Sequence, residues 1–292
     1  MIDSPGPAPA VAAPSAPALG LVTSYGRSGS SRLMQVLKLT GAAAVAGGFP
    51  YEIRHAQFGV LCESGAGEID ADGTLTFDTV AYPPPTRRHP DEAETEFRDR
   101  AAVAALAGYR RPSATIVNDL IVEKSIGLHI VRQVLGHRSR SFAIVLDRDP
   151  RDVFLSILAF NERRGFISFG ADGGPEALAR NIANYYGQLA ALVAAHPERT
   201  RIVTYEELIA DPEAAAGGAV AAAVHADDAA RAAMAIITHP DHVTATDVSA
   251  SVQRWRSVAA DWPAEFERLE QARRDFRMLA GSGAAPGVAS GG

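Results

Sequence analysis

The segment Gly26-Arg-Ser-Gly-Ser-Ser31 has the residue types of an anion cradle. Glycines let backbone N–H groups approach an anion closely, and a following helix adds the positive end of its dipole. An apolar run, Leu19–Tyr25, precedes the turn, and Leu33, Met34, Val36 and Leu37 follow at helical spacing, so the order is strand, turn, helix. The nucleotide-kinase pattern G-x-x-x-x-G-K-[ST] does not fit. Counted from Gly26, its second glycine falls on Ser31, its lysine on Arg32 and its hydroxyl residue on Leu33. A second constellation is Arg148 with Ser156, eight residues further on. Ser141–Leu146 reads as a buried strand, Arg148 leaves its end, and Ser156 lies about two turns along the next helix. A guanidinium and a hydroxyl so spaced can share one phosphate at the carboxyl edge of an open sheet. The plainer alternative pairs Arg148 with Asp149 or Asp152 and leaves Ser156 as a helix-face serine.

The elements that must position these groups alternate. Strands are expected at Leu19–Tyr25, Ala114–Val117, Ser141–Leu146 and Arg201–Thr204. Helices are expected after Ser31, over Ala101–Tyr109, Ile126–Leu135, Asp152–Arg163 and Pro175–His196, through an Ala-rich stretch to about residue 237, and over Pro263–Leu279. That alternation implies a parallel sheet with helices on both faces. Residues 62–100, with an acidic start and the run Tyr82-Pro-Pro-Pro-Thr86, read as a long surface excursion or lid. Residues 1–18 read as a disordered Ala/Pro arm and 281–292 as a disordered Gly/Ala/Ser tail, which leaves one domain over 19–280.

Composition narrows the function classes. The chain has 292 residues, a formal net charge of −6 and one cysteine, Cys62. A general nucleic-acid binder, a disulfide framework and a multi-cysteine metal site are therefore not expected. Of 28 basic residues only Lys38 and Lys124 are lysines, which draws attention to both. The uncharged run between Asp3 and Arg27 is broken by Pro5, Pro7, Pro9, Pro14 and Pro17, so neither a transmembrane segment nor a signal peptide is expected, and the location reads as cytoplasmic. His225, His239 and His242, with Asp227, Asp228 and Asp241, match no metal-ligand spacing and read as solvated.

Val22-Thr-Ser-Tyr-Gly-Arg-Ser-Gly-Ser-Ser-Arg-Leu33 resembles the 5′-phosphosulfate loop of sulfotransferases that use 3′-phosphoadenosine-5′-phosphosulfate (PAPS). Ile144-Val-Leu-Asp-Arg-Asp-Pro-Arg-Asp-Val-Phe-Leu-Ser156 resembles their 3′-phosphate element. Three further stretches resemble bacterial members in the expected order: Pro50-Tyr-Glu-Ile-Arg54, Val203-Thr-Tyr-Glu-Glu-Leu-Ile-Ala-Asp-Pro212 and Ser251-Val-Gln-Arg-Trp-Arg256. The resemblance implies a three-layer α/β/α fold with a central parallel sheet, like that of P-loop nucleoside triphosphatases. It also implies sulfonate transfer to a hydroxyl of a small-molecule, lipid or carbohydrate acceptor, with PAPS as co-substrate and no metal.

It implies residue roles as well. Arg27 takes the place of the family's loop lysine. Ser28, Gly29, Ser30, Ser31 and Arg32 hold the 5′-phosphate, Arg148 and Ser156 grip the 3′-phosphate, and Arg254 and Arg256 close over it. Acceptor pockets in such enzymes are built from variable loops, here residues 56–100 and 164–175. The family's Lys-Thr-His base position corresponds to Glu123-Lys-Ser-Ile126, where isoleucine stands in place of histidine. The base is then Glu52, as in branches that place a glutamate after the first helix, with His55 and His129 as alternatives. Lys124 either contacts the transferring sulfonate or is an ordinary loop lysine. Two other classes stay open at this stage: a nucleotide-dependent kinase, and a nucleotide-binding module without catalysis, which would need Arg148 and Ser156 but not Glu52.

Overall fold

The computed structural model describes residues 18–41, 43–45, 47–48, 51, 54–77, 80–81, 87–107, 120–125, 127–224 and 252–282. The expected Ala/Pro arm (save Ala18), the proline-rich run at 82–86, the strand expected at 114–117, the histidines at 225, 239 and 242, and most of the tail lie outside them.

The chain opens with β1 (Ala18–Thr23), α1 (Ser30–Leu39) and α2 (His55–Glu63). A small antiparallel meander follows, β2 (Glu68–Ile69), β3 (Leu75–Phe77) and β4 (Val80–Ala81), and then α3 (Glu94–Ala107). Next come β5 (Leu120–Ser125), α4 (Leu128–His137), β6 (Ser141–Asp147), α5 (Pro150–Arg164) and α6 (Gly174–Ala195). The last described elements are β7 (Thr200–Thr204), α7 (Tyr205–Ala210), α8 (Pro212–Val224) and α9 (Pro263–Ser282).

Four strands form one parallel sheet in the order β5-β1-β6-β7. Every residue of β1, β5 and β6 is buried, as a parallel sheet covered on both faces requires. One face carries Leu19, Leu21, Ala143 and Val145 against α2, α3, α4, α5, α6 and α9. The other carries Val22, Val122, Ile144 and Leu146 against α1 and α8. Each fully buried leucine or phenylalanine in these layers contributes about 1.5–3 kcal/mol. The expected three-layer α/β/α architecture with a central parallel sheet is the observed one.

Two expectations need correction. No strand is expected from the sequence at 120–125, yet β5 is a buried member of the sheet, because its polar end residues, Glu123 and Lys124, have partners inside the fold. Residues 62–100 are only in part a surface excursion. Cys62, Leu75 and Phe97 are fully buried there, since α2 and α3 pack on each other and on the sheet. Among the described residues, no helix is long and apolar enough to cross a membrane.

Register and connection together make a cleft. Thr23 pairs with Ser125 on one side and Val145 on the other, so the chain leaves neighbouring strands at one edge. After β1 it enters α1 on one face of the sheet, and after β6 it enters α5 on the opposite face. Loops that part in this way open a crevice at the carboxyl ends of adjacent strands, where open α/β sheets bind ligands.

Candidate active site

The loop after β1 bends through two left-handed residues, Arg27 at φ 66° and Gly29 at φ 95°. Gly29 is required twice over. L side chains rarely adopt its φ, and a Cβ there would lie 2.6 Å from the Tyr205 ring. At Gly26 a Cβ would lie 2.3 Å from the Phe169 ring. Helix α1 begins at Ser30 with no capping side chain and no acidic residue in its first turn, so nothing of the helix's own neutralises the positive end of the dipole. Ser28 is buried, Arg27 is exposed, and Ser30, Ser31 and Arg32 form the first turn. Ser24 Oγ and Arg32 Nε, on either side of the loop, are buried without a hydrogen-bond partner. A cradle of this kind fits a phosphate or sulfate group.

The loop after β6 meets it. Asp149 accepts from the Arg151 N–H at the start of α5, and Pro150 takes the first helical position with its φ preset. Buried Arg148 donates from Nη1 to the Arg27 carbonyl at 2.8 Å, and its guanidinium lies 4.4 Å from the centre of the Tyr205 ring. The two constellations singled out in the sequence are thus joined by a hydrogen bond across 121 residues. The plainer alternative for Arg148 is met in part, since its charge acts on Asp152, although both carboxylates have other partners as well. Asp149 is bound by Arg151 at 2.8 Å and Arg273 at 3.0 Å, and Asp152 accepts from the Gln253 and Trp255 N–H groups at 2.7 and 3.2 Å. Burial pushes the Asp152 carboxyl above the usual carboxylate range, and those two N–H bonds pull partly against it. Ser156 is half-buried one helical turn beyond Asp152, on the same face of α5.

Asp152 thereby holds the segment carrying Arg254 and Arg256 at the N-terminal end of α5. Both arginines are exposed, and Arg256 lies 5.7 Å from the Trp255 ring centre. Beneath Arg148, the Tyr186 hydroxyl donates to its carbonyl and, at 3.2 Å, to Asp147. Arg273 and Arg277 of α9 clamp Asp147 at 3.2 and 2.8 Å.

The carboxyl end of β5 supplies the third wall. Lys124 is buried at the end of the strand, and its Nζ donates to Ser31 Oγ at 3.4 Å, so it is not a loop lysine. Glu123, 1% exposed, accepts from the Ala56 and Gln57 N–H groups at 2.7 and 2.8 Å. It caps α2 from a distant strand, a task that Arg54 at the N-cap leaves undone. Gln57 Nε2 donates to the Lys124 carbonyl at 3.2 Å. These bonds tie the start of α2 to the carboxyl end of β5, beside the loop. Glu52 lies outside the described residues, between Tyr51, buried against α1, and Arg54. His55 opens α2, and burial lowers its pKa from the usual histidine value. His129 is exposed in the first turn of α4.

Some partners carried no sequence signal. Glu123 opens a stretch quoted only for its missing histidine, and its capping role exists only because β5 and α2 meet. Arg27 keeps an exposed surface, but partial desolvation at its base, and then the charges of Arg163, Arg148 and Arg164, lower its pKa; Arg163 and Arg164 come from the end of α5. Tyr205 belongs to a stretch singled out in the sequence, but its packing on Gly29 and Arg148 is a tertiary fact.

No family model and no curated protein matches the chain. Among solved structures, a sulfotransferase domain from the curacin biosynthetic pathway is similar, with a TM-score of 0.51 and 14% identity over 88% of this chain and 98% of that chain. Two others are a sulfotransferase domain from the Synechococcus PCC 7002 olefin synthase (TM-score 0.47, 16% identity, 92% and 94% covered) and retinol dehydratase in complex with androsterone and inactive cofactor PAP (TM-score 0.37, 14% identity, 94% and 84% covered). The chain has the sulfotransferase fold: a central parallel sheet, helices on both faces, and the loops after β1 and β6 converging at its carboxyl edge.

Proposed function

We propose that the protein is a sulfotransferase that moves sulfonate from PAPS to a hydroxyl of a small-molecule, lipid or carbohydrate acceptor. The observation that carries this reading is the hydrogen bond from Arg148 to the Arg27 carbonyl. It sets an anion cradle and a second, separate cation side by side, as a nucleotide with a 5′ and a 3′ phosphate needs. The first-turn N–H groups of α1 and the hydroxyls of Ser28, Ser30 and Ser31 hold the 5′-phosphosulfate, with Arg27 and Lys124 supplying positive charge. Arg148 and Ser156 hold the 3′-phosphate, and Arg254 and Arg256 cover it.

The acceptor oxygen forms a bond to sulfur as the bond from sulfur to the bridging oxygen breaks. The electron pair of that bond stays on the bridging oxygen, giving adenosine 3′,5′-bisphosphate (PAP). The acceptor's proton goes to the base, for which we propose Glu52; the anchoring of Tyr51 and of the α2 start beside Lys124 supports that choice. Positioning, and fixed charge at the departing phosphate, do most of the work, as in phosphoryl transfer. A kinase reading is disfavoured because the loop has Arg32 and fully buried Leu33 where a phosphate-binding lysine and a metal-holding hydroxyl would stand. The test is incubation of the protein with sulfur-labelled PAPS and fractionated metabolites of its source. Label should move to one fraction in step with PAP release; donor binding with no label transfer to any fraction would reduce the protein to a binding module.

A further inference from the structure

Beside the transfer end of the cleft stands an ordered aromatic wall. Phe160 of α5 meets Phe166 and Phe169 edge to face, with centroids 6.1 and 5.7 Å away. The 165–170 turn is fastened rather than loose. Tyr25 donates to the Phe169 carbonyl at 2.8 Å, Asn181 donates to the Gly170 carbonyl at 2.8 Å, and Asn161 and Ser168 exchange two hydrogen bonds. Yet that fastened turn holds Phe166 50%, Ile167 66% and Phe169 38% exposed. Large apolar side chains grouped in water beside a cleft mark a surface that an apolar ligand covers.

The wall is edged with positive charge. The Arg27 and Arg164 guanidinium carbons lie 4.7 and 5.3 Å from the centre of the Phe160 ring, and Arg163 is close enough to act on Arg27. Arg163 and Arg164 are exposed, and among the described residues neither is ion-paired with a carboxylate. Arg27 is committed to the donor. Two further cations crowded against it raise the electrostatic cost of the site, and a second anion beside the donor relieves that cost. A place in the last turn of α5 suits arginines through the helix dipole, but it does not require an aromatic wall between them and the loop.

We infer that the acceptor is an apolar hydroxylated molecule carrying an anionic group, with its apolar body against Phe160, Phe166 and Phe169 and its anion at Arg163 and Arg164. The inference rests on the sulfotransferase reading and narrows its acceptor class. It is tested by binding, so that no true acceptor is needed. The probes are 3-(4-hydroxyphenyl)propionate and its uncharged amide, titrated calorimetrically into the protein with and without saturating PAP. The acid should bind about tenfold more tightly than the amide, the worth of one charge-assisted contact. Arg163→Ala with Arg164→Ala should abolish that preference, and Phe166→Ala should weaken both probes alike. PAP affinity should be unchanged in Phe166→Ala, and in the double arginine variant it should fall less than the affinity for the acid. Equal affinity for the two probes, or no saturation by the acid, would overturn the inference, as would a double variant that loses PAP rather than the acid, because its arginines would then belong to the donor. Failure of wild-type protein to bind PAP at all is a separate result and counts against the sulfotransferase reading instead.

Discussion

At the scale of single residues, Arg148 has two roles that depend on each other. Its Nη1 fixes the Arg27 carbonyl, and in the proposed reading its charge holds the 3′-phosphate beside the cradle. The sequence showed that Arg148 and the loop were both chemically apt. It did not show the bond between them, because 121 residues separate the partners and only the fold brings them together. Glu123 makes the same point more sharply: a buried carboxylate with two backbone donors is invisible in a string of letters until α2 lies across β5. The base belongs to this scale. Glu52→Gln keeps the shape and removes the basicity, so it should lower sulfonate transfer by roughly 10²–10⁴-fold with donor affinity nearly unchanged. A glutamate base stays ionised down to about pH 4.3, whereas an ordinary histidine loses basicity below about pH 6.5. Burial lowers the His55 pKa and so narrows the gap between the two pH profiles. The pair of substitutions therefore decides: full activity in Glu52→Gln with loss in His55→Ala would move the base to His55.

At the scale of elements, the parts that matter are the loops leaving β1 and β6, the carboxyl end of β5 and the segment held at the start of α5. β1 and β6 were legible because each is an apolar run ending in turn residues. β5 was not, because its run ends in Glu123-Lys124-Ser125, which is a loop by composition and a strand only when its side chains are satisfied inside. Asp152 is the tie for the C-terminal segment, through two charge-assisted bonds to backbone N–H groups. Asp152→Ala should therefore do more than loosen a surface turn. PAP affinity should fall by about tenfold, corresponding to one lost bond of about 1.4 kcal/mol, and limited proteolysis should begin to cut near residues 252–261. Unchanged affinity together with new cleavage would mean that Arg254 and Arg256 take no part in holding the nucleotide.

At the scale of the molecule, a network of buried charge locks α9 and α6 under the cleft. Arg273 contacts Asp147 and Asp149, which flank Arg148, while Arg151 and Arg277 hold the same carboxylates from the sides. Removing one partner of a buried pair costs about 3–5 kcal/mol, and Arg273→Met should fall near the lower end because Arg151 and Arg277 stay in place. Burial pushes the Asp149 carboxyl up, but its hydrogen bond to Arg151 and the charge of Arg273 outweigh that and hold it below the usual range. Its contribution to stability is therefore present above about pH 3.9 and is lost as pH falls through the lowered folded value. In Arg273→Met that loss should begin at higher pH, seen as an upward move of the acid-unfolding midpoint by circular dichroism; an unmoved midpoint would remove the network from the account. The whole arrangement, sheet edge, cradle and clamp, serves one claim: that the cleft reads a nucleotide by its 3′-phosphate. Calorimetry of the wild-type protein with PAP and with AMP tests it most directly. PAP should bind roughly 10- to 150-fold more tightly, the equivalent of about 1.5–3 kcal/mol for charge-assisted contacts to the extra phosphate. Equal affinity for the two nucleotides would contradict it.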